Sequence, residues 1–255
     1  MDKAKKYFGQ HFLQDKAIAE KIVEILGPTA GYAAVVEIGA GRGALTGSLV
    51  AQVDVPLYLV EIDRSLAQVL QKKYSGEQVH VIMADFLAWS FADVPQGPIA
   101  LIGNLPYNIS SPIFFKVFHH HTQIKEVVCM VQHEVGARIA AKSGNKTYGI
   151  LSVLLQAFYE VTYCFGVAPT AFTPPPRVQS AVIKLVRNNV AQLDCDLQCF
   201  VRVVKMAFQQ RRKMLSNALR PLGVPLHHLP ATLLQKRAEA LNVAEFITLT
   251  KQLMT

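Results

Sequence analysis

Cysteine is scarce in this chain and poorly spaced for metal or disulfide chemistry. Cys129, Cys164, Cys195 and Cys199 form no pair of CxxC knuckles, and Cys195 and Cys199 stand one helical turn apart with no second ligand pair near them in sequence. Reduced thiols and no zinc are the expectation. Charge is also thin, at 17% of residues against 51% hydrophobic, the opposite of a disordered composition. No apolar run approaches the ~20 residues that span a bilayer. Met1 to Gln10 are polar and basic, without the apolar stretch of a secretory signal. These absences predict a soluble cytoplasmic protein with no membrane-spanning segment. Nothing signals stable oligomerisation, so a monomer is expected.

What is present is a core and a basic tail. The 255 residues suffice for one large domain with a small one beside it. Net charge is +8, unevenly spread: residues 188–255 carry 9 Lys/Arg against 4 Asp/Glu, or +5, and the first 187 carry 17 against 14, or +3. A basic excess concentrated in the last quarter favours a polyanionic partner contacted there, without choosing between nucleic acid and a membrane surface.

Hydrophobic periodicity then orders the chain. A helix over 14–26 follows an Asp15 cap and stops at Gly27-Pro28. Short apolar runs at 33–38, 57–62, 79–83, 99–102 and 126–131 read as buried strands. They alternate with helical stretches at 45–53, 65–73, 113–119 and 133–142. That alternation predicts an α/β fold with a doubly wound parallel sheet. A helix over 148–157 follows. Strands at 159–167 and 181–186 flank a proline-rich loop and suit an edge hairpin. Arg187-Asn188-Asn189 reads as a linker, dividing a domain of residues 1–187 from a small all-α domain of residues 188–255. The latter shows helical periodicity over 196–207, 209–220 and 231–251, broken by Pro221, Gly223, Pro225 and Pro230.

The first strand runs into Glu37-Ile38-Gly39-Ala40-Gly41-Arg42-Gly43. Alternate glycines let the backbone turn sharply and approach a ligand. The second strand ends in Glu61-Ile62-Asp63, where a carboxylate suits vicinal ribose hydroxyls. Gly39, Gly41 and Ala44 also satisfy the looser dinucleotide fingerprint, so NAD competes at this point. Two acids tilt the balance. Glu37 disfavours a pyrophosphate but suits the ammonium of a methionine moiety, and Asp85, after the third strand, is placed to read an adenine amine. Both point to S-adenosylmethionine.

The fourth strand ends in Gly103-Asn104-Leu105-Pro106-Tyr107-Asn108. The N6 amine of adenine is a poor nucleophile because its lone pair is delocalised into the ring. Two acceptors aimed at its hydrogens favour a more tetrahedral nitrogen. Asn104 can supply one through its side-chain oxygen, and the Leu105 carbonyl, stiffened by Pro106, the other. Tyr107 can stack on a flipped base and stabilise developing positive charge. No base is needed, because the amine turns acidic once methylated.

Taken with these motifs, the chain resembles the ribosomal RNA adenine N6-dimethyltransferases, and within them the bacterial branch acting on the small subunit. The resemblance runs from Phe8-Gly9-Gln10-His11-Phe12-Leu13 through the loops above to Phe172-Thr173-Pro174-Pro175-Pro176-Arg177-Val178, Ser180-Ala181-Val182, Phe208 and Gln210-Arg211-Arg212-Lys213. It implies a Rossmann-like class I S-adenosylmethionine-dependent methyltransferase fold with a helical RNA-contacting domain. It implies dimethylation of two adjacent adenosines near the 3′ end of 16S ribosomal RNA, with a role in small-subunit biogenesis. It further implies that His11, Leu13, Glu37, Gly39, Gly41, Glu61, Ile62, Asp85, Phe86 and Asn104 bind the cofactor. Asn104 and Leu105 would hold the target amine, Tyr107 and Phe172 would sandwich the adenine, and Arg211, Arg212 and Lys213 on a helix would touch RNA. The family often has Asn at the place of His11. Relatives acting on the large subunit fit the Phe172 to Val178 and Gln210 to Lys213 runs less well, and a bacterial-length chain without an obvious transit peptide fits the mitochondrial relatives less well.

Two conspicuous groups carry less. His119-His120-His121 sits at a helix end, where histidines meet the dipole favourably, and no further metal ligands are placed to help. Trp89 and Phe91 suit a cofactor wall and a core position equally. A rival of another class, an RNA-binding assembly factor, can coexist with the chemistry.

Overall fold

A computed structural model describes residues 10–74 and 76–254; Phe8 and Gly9 of the N-terminal motif lie outside them. The elements run β1 (Phe12–Leu13), α1 (Lys16–Leu26), β2 (Ala34–Ile38), α2 (Thr46–Gln52), β3 (Leu57–Glu61), α3 (Arg64–Lys73), β4 (Val79–Met83), β5 (Ile99–Asn104), α4 (Ser110–His119), β6 (Ile124–Gln132), α5 (His133–Ala140), α6 (Ile150–Gln156), β7 (Tyr159–Val167), β8 (Phe172–Thr173), β9 (Ser180–Arg187), α7 (Leu197–Gln209), α8 (Leu215–Ala218), α9 (Ala231–Leu234) and α10 (Val243–Met254).

Seven strands form one sheet in the order β4-β3-β2-β5-β6-β9-β7. The five from β4 to β6 are parallel, and β9 enters antiparallel beside β6. β2 and β3 are buried along their whole length, which is why they read as unbroken apolar runs rather than alternating ones. The strand order switches direction at β2, which pairs parallel with β3 on one side and with β5 on the other, so the loops after β2 and β5 open beside one another at the carboxyl edge, where open α/β sheets bind ligands.

Close approach at that edge rests on one glycine. A Cβ on Gly103 would lie 2.5 Å from the Ile38 carbonyl oxygen on the neighbouring strand. Helix starts are set locally: Asp15 accepts from the Ile18 N–H and Asp63 from the Ser65 N–H.

The chain divides into two compact units, the first reaching Gly136 and including Val161–Arg187, the second Ala137–Glu160 with Asn188–Thr255. The segment 137–160, read from sequence with the sheet, thus belongs to the helical unit: α6 packs on α7 and α10 there. Local periodicity shows that a segment has an apolar face but not which partner covers it.

Within the helical unit two long helical readings are interrupted. α7 stops at Gln209, so Gln210 to Lys213 form a turn rather than a helix. The stretch 231–251 splits, because Asn242 starts α10 with a reciprocal cap: its Oδ1 accepts from the Glu245 N–H at 2.9 Å and the Glu245 carboxylate from the Asn242 N–H at 2.8 Å. Among the described residues no helix is long and apolar enough to cross a membrane, and no group of three or more His, Cys, Asp or Glu gathers as metal ligands would.

Candidate active site

The loops after β2, β3, β4 and β5, with the segment through β1, line a cleft of about 280 Å³. His11, Leu13, Glu37, Gly39, Gly41, Glu61, Ile62, Asp85, Phe86, Asn104, Leu105 and Tyr107 all lie on its wall. One expected residue does not. Phe172 is 3% exposed, sits opposite Leu13 in the β1–β8 ladder and is buried in the core cluster. The loop reading of Phe172 missed the two-residue ladder because each strand alone is too short to carry a pattern.

The glycine loop is held from both sides. Gly39 and Gly41 have φ of 66° and 58°, backbone that side chains other than glycine's strain to adopt. The Gly41 N–H donates to Glu61 Oε2 and the Asp63 N–H to Glu61 Oε1, both at 2.8 Å. Glu61 is thereby fixed at the cleft with its remaining lone pairs as acceptors. Burial raises its pKa, and the backbone N–H donors oppose that shift.

Glu37 is deeper. It is 1% exposed and takes a 2.6 Å hydrogen bond from the Thr46 hydroxyl. Burial pushes its pKa up to about 8, the Thr46 bond works against that, and the nearby Glu61 adds to it. A buried acid under the glycine loop ionises readily beside a cation and not beside a pyrophosphate, which favours S-adenosylmethionine over NAD. Beside Glu61, Ile62 exposes 46% of its surface, an apolar plate suited to a flat ring. Asp85 is exposed, with Oδ1 accepting from the Leu87 N–H at 2.9 Å.

On the opposite wall the Asn104 side-chain nitrogen donates to the His11 carbonyl at 2.9 Å. That contact orients the amide and leaves Oδ1 as the acceptor toward the cleft. Leu105 is 1% exposed and its N–H donates to the Met130 carbonyl, anchoring the loop to β6. The Tyr107 hydroxyl shares a 2.5 Å hydrogen bond with Ser180, a fully buried residue, and its ring stacks on His11 with centroids 5.4 Å apart. Sequence reasoning assigned no role to Thr46 or Ser180; hydroxyls have no spacing signal, and only the fold brings them to Glu37 and Tyr107. Trp89 and Phe91 are buried with Phe86 in an aromatic cluster and are absent from the cleft wall.

Of the basic run, Arg212 and Lys213 are exposed. Arg211 instead donates to the Lys146 carbonyl and lies 3.7 Å from the Glu239 carboxylate, whose own backbone carbonyl takes the Gly144 N–H. It ties down the loop between α5 and α6.

Sheet order, glycine loop and acidic strand ends together define a class I S-adenosylmethionine-dependent methyltransferase fold. The chain matches the family described as ribosomal RNA adenine dimethylase over residues 1–254, and it belongs to that family. It is 48% identical to ribosomal RNA small subunit methyltransferase A of Cytophaga hutchinsonii, covering 98% of this chain and 97% of that one. It is 45% identical to the protein of the same name in Bacteroides thetaiotaomicron, covering 98% and 94%. Among solved structures it is similar to a dimethyladenosine transferase from Plasmodium falciparum, with a TM-score of 0.80, 25% identity and coverage of 94% and 96%. The 23S rRNA methyltransferase ErmE shares the fold, with a TM-score of 0.73 at 23% identity.

Proposed function

We propose that this protein transfers methyl groups from S-adenosylmethionine to N6 of two adjacent adenosines near the 3′ end of 16S ribosomal RNA, giving N6,N6-dimethyladenosine during small-subunit biogenesis. It acts as a cytoplasmic monomer whose helical unit contacts RNA through Arg212 and Lys213. The observation that supports this reading is the Asn104 amide on the cleft wall, its nitrogen engaged by the His11 carbonyl and its oxygen left as an acceptor. Family membership supplies the nucleic acid.

The donor set fits the cofactor. Glu61 accepts from the ribose hydroxyls, Ile62 and Asp85 take the adenine, and Glu37 faces the ammonium. Bound there, S-adenosylmethionine supplies an electrophilic methyl group. The protein does the rest by position. Asn104 Oδ1 and the Leu105 carbonyl accept from the two amine hydrogens and free the nitrogen lone pair. Tyr107 stacks on the flipped base. The nitrogen would bond to the methyl carbon as the sulfur–methyl bond breaks and S-adenosylhomocysteine is left, and the nitrogen, now cationic, would lose a proton to water. In the second transfer one hydrogen remains, so one acceptor suffices. Phe172 supports this from behind, by holding Leu13 at the wall.

Radiolabelled methyl transfer to small subunits from a strain lacking the modification tests the reading. Label in dimethyladenosine, lost with Asn104→Ala, is expected. Tight subunit binding with no label from the unsubstituted protein would sink it.

A further inference from the structure

The turn after β4 carries Asp85, and beyond it the backbone leaves several carbonyls without a partner of its own. Asp85 O accepts from the Ala88 and Trp89 N–H groups, and Asp85 Oδ1 from Leu87. The carbonyls of Phe86, Leu87 and Trp89 instead converge on one group, the Lys116 ammonium: Phe86 at 2.5 Å, Leu87 at 3.2 Å, and Trp89 as the third. An ammonium has three N–H donors and no acceptor, so this set satisfies it. Its charge also lies 4.9 Å from the centroid of the Phe86 ring and 5.0 Å from that of Phe91. Lys116 is half-buried, and burial lowers its pKa while the Asp85 charge holds it up.

Lys116 belongs to α4, the helix that begins from the catalytic loop. Ser110, its first residue, donates from its hydroxyl toward the Pro106 and Tyr107 carbonyls, and the Ile109 N–H donates to Pro106. The same rigid helix therefore starts at the amine-binding loop and, two turns on, grips the turn that presents Asp85 and Phe86. Phe91, with φ of 60°, closes that turn at a cost only surrounding contacts sustain.

We propose that Lys116 is a positioning residue for cofactor binding: by collecting the three carbonyls of the turn it sets Asp85 and Phe86 against the cofactor's adenine, in register with Asn104. This rests on the reading of the cleft as a cofactor site. The site residues alone would not show it, because Lys116 does not line the cleft.

Trp89 is the sole tryptophan of the chain and its carbonyl is one of the three, so its emission reports on the turn directly. S-adenosylhomocysteine binding is measured by calorimetry for the unsubstituted protein, Lys116→Met and Lys116→Arg, with Trp89 emission and initial rates on unmodified small subunits. Lys116→Met is expected to weaken binding and raise the cofactor KM about tenfold, the scale of hydrogen bonds to a charged group. Its kcat at saturating cofactor stays within about twofold, since the transition-state contacts remain. Trp89 emission shifts to the red. Lys116→Arg, which keeps charge and donors, retains the emission and most of the affinity. Unchanged binding in Lys116→Met, equal loss of kcat and affinity, or Lys116→Arg as poor as Lys116→Met would each overturn the proposal. If the unsubstituted protein fails to bind S-adenosylhomocysteine, the cofactor reading falls and takes the proposal with it.

Discussion

The side-chain amide nitrogen of Asn104 donates to the backbone carbonyl of His11, 2.9 Å away across 93 residues of sequence. This bond joins the N-terminal segment to the loop after β5 and decides which end of the amide is left free at the cleft. Asn104→Asp replaces the donor with an oxygen that repels the carbonyl. We expect both Asn104→Asp and Asn104→Ala to lower kcat by about 10²–10³-fold, the usual scale for a positioned polar group. Single-turnover methyl transfer to small subunits checks it; an Asn104→Asp enzyme within tenfold of the parent contradicts this account of the bond.

Glu37 links cofactor binding to protons. Its pKa is pushed up to about 8, so at pH 7 the carboxyl holds its proton. A cationic ligand beside it favours the carboxylate and expels that proton. Calorimetry of S-adenosylmethionine in buffers of differing ionisation enthalpy should show proton release at pH 7, vanishing in Glu37→Gln.

The same shift has a stability consequence of definite sign. Between the unfolded value near 4.5 and the folded value of about 8 the native state binds the extra proton, so stability falls as pH rises through that window. Glu37→Gln removes this slope. Without ligand, its Tm relative to the parent should be higher at pH 9 than at pH 5.

Gly103→Ala places a methyl group against the Ile38 carbonyl at 2.5 Å, where the partner is backbone and has no rotamer to change. Strands β2 and β5 must separate at the edge where both functional loops begin. A loss of about 2–3 kcal/mol in urea unfolding is expected, at the upper range for overpacking, with a weaker cofactor affinity alongside.

Tyr107 separates its ring from its hydroxyl. Tyr107→Phe keeps the stacking face and strands the buried Ser180 hydroxyl, costing about 1–2 kcal/mol of stability and little in rate. Tyr107→Ala removes the face itself and should cost about 10–100-fold in kcat/KM, the worth of stacking one base. Equal losses in the two variants would contradict the division.

The sequence alone determined the sheet class, because buried parallel strands are unbroken apolar runs and the glycines and acids that end them are local in the chain. It made the proposed chemistry of Asn104 to Tyr107 legible for the same reason: one short loop carries both of the proposed acceptors. What it misread was non-local. Phe172 read as part of a loop and instead pairs in the β1–β8 ladder, since its partner Leu13 is far away in sequence. Gln210 to Lys213 looked helical and turn instead, with Arg211 pinned to the Lys146 carbonyl. Residues 137–160 looked like part of the sheet domain and pack with α7 and α10. Periodicity reports that a face is apolar; only tertiary structure chooses what covers it. That choice also fixed the His11 carbonyl against Asn104, the contact that turned a loop motif into an oriented acceptor.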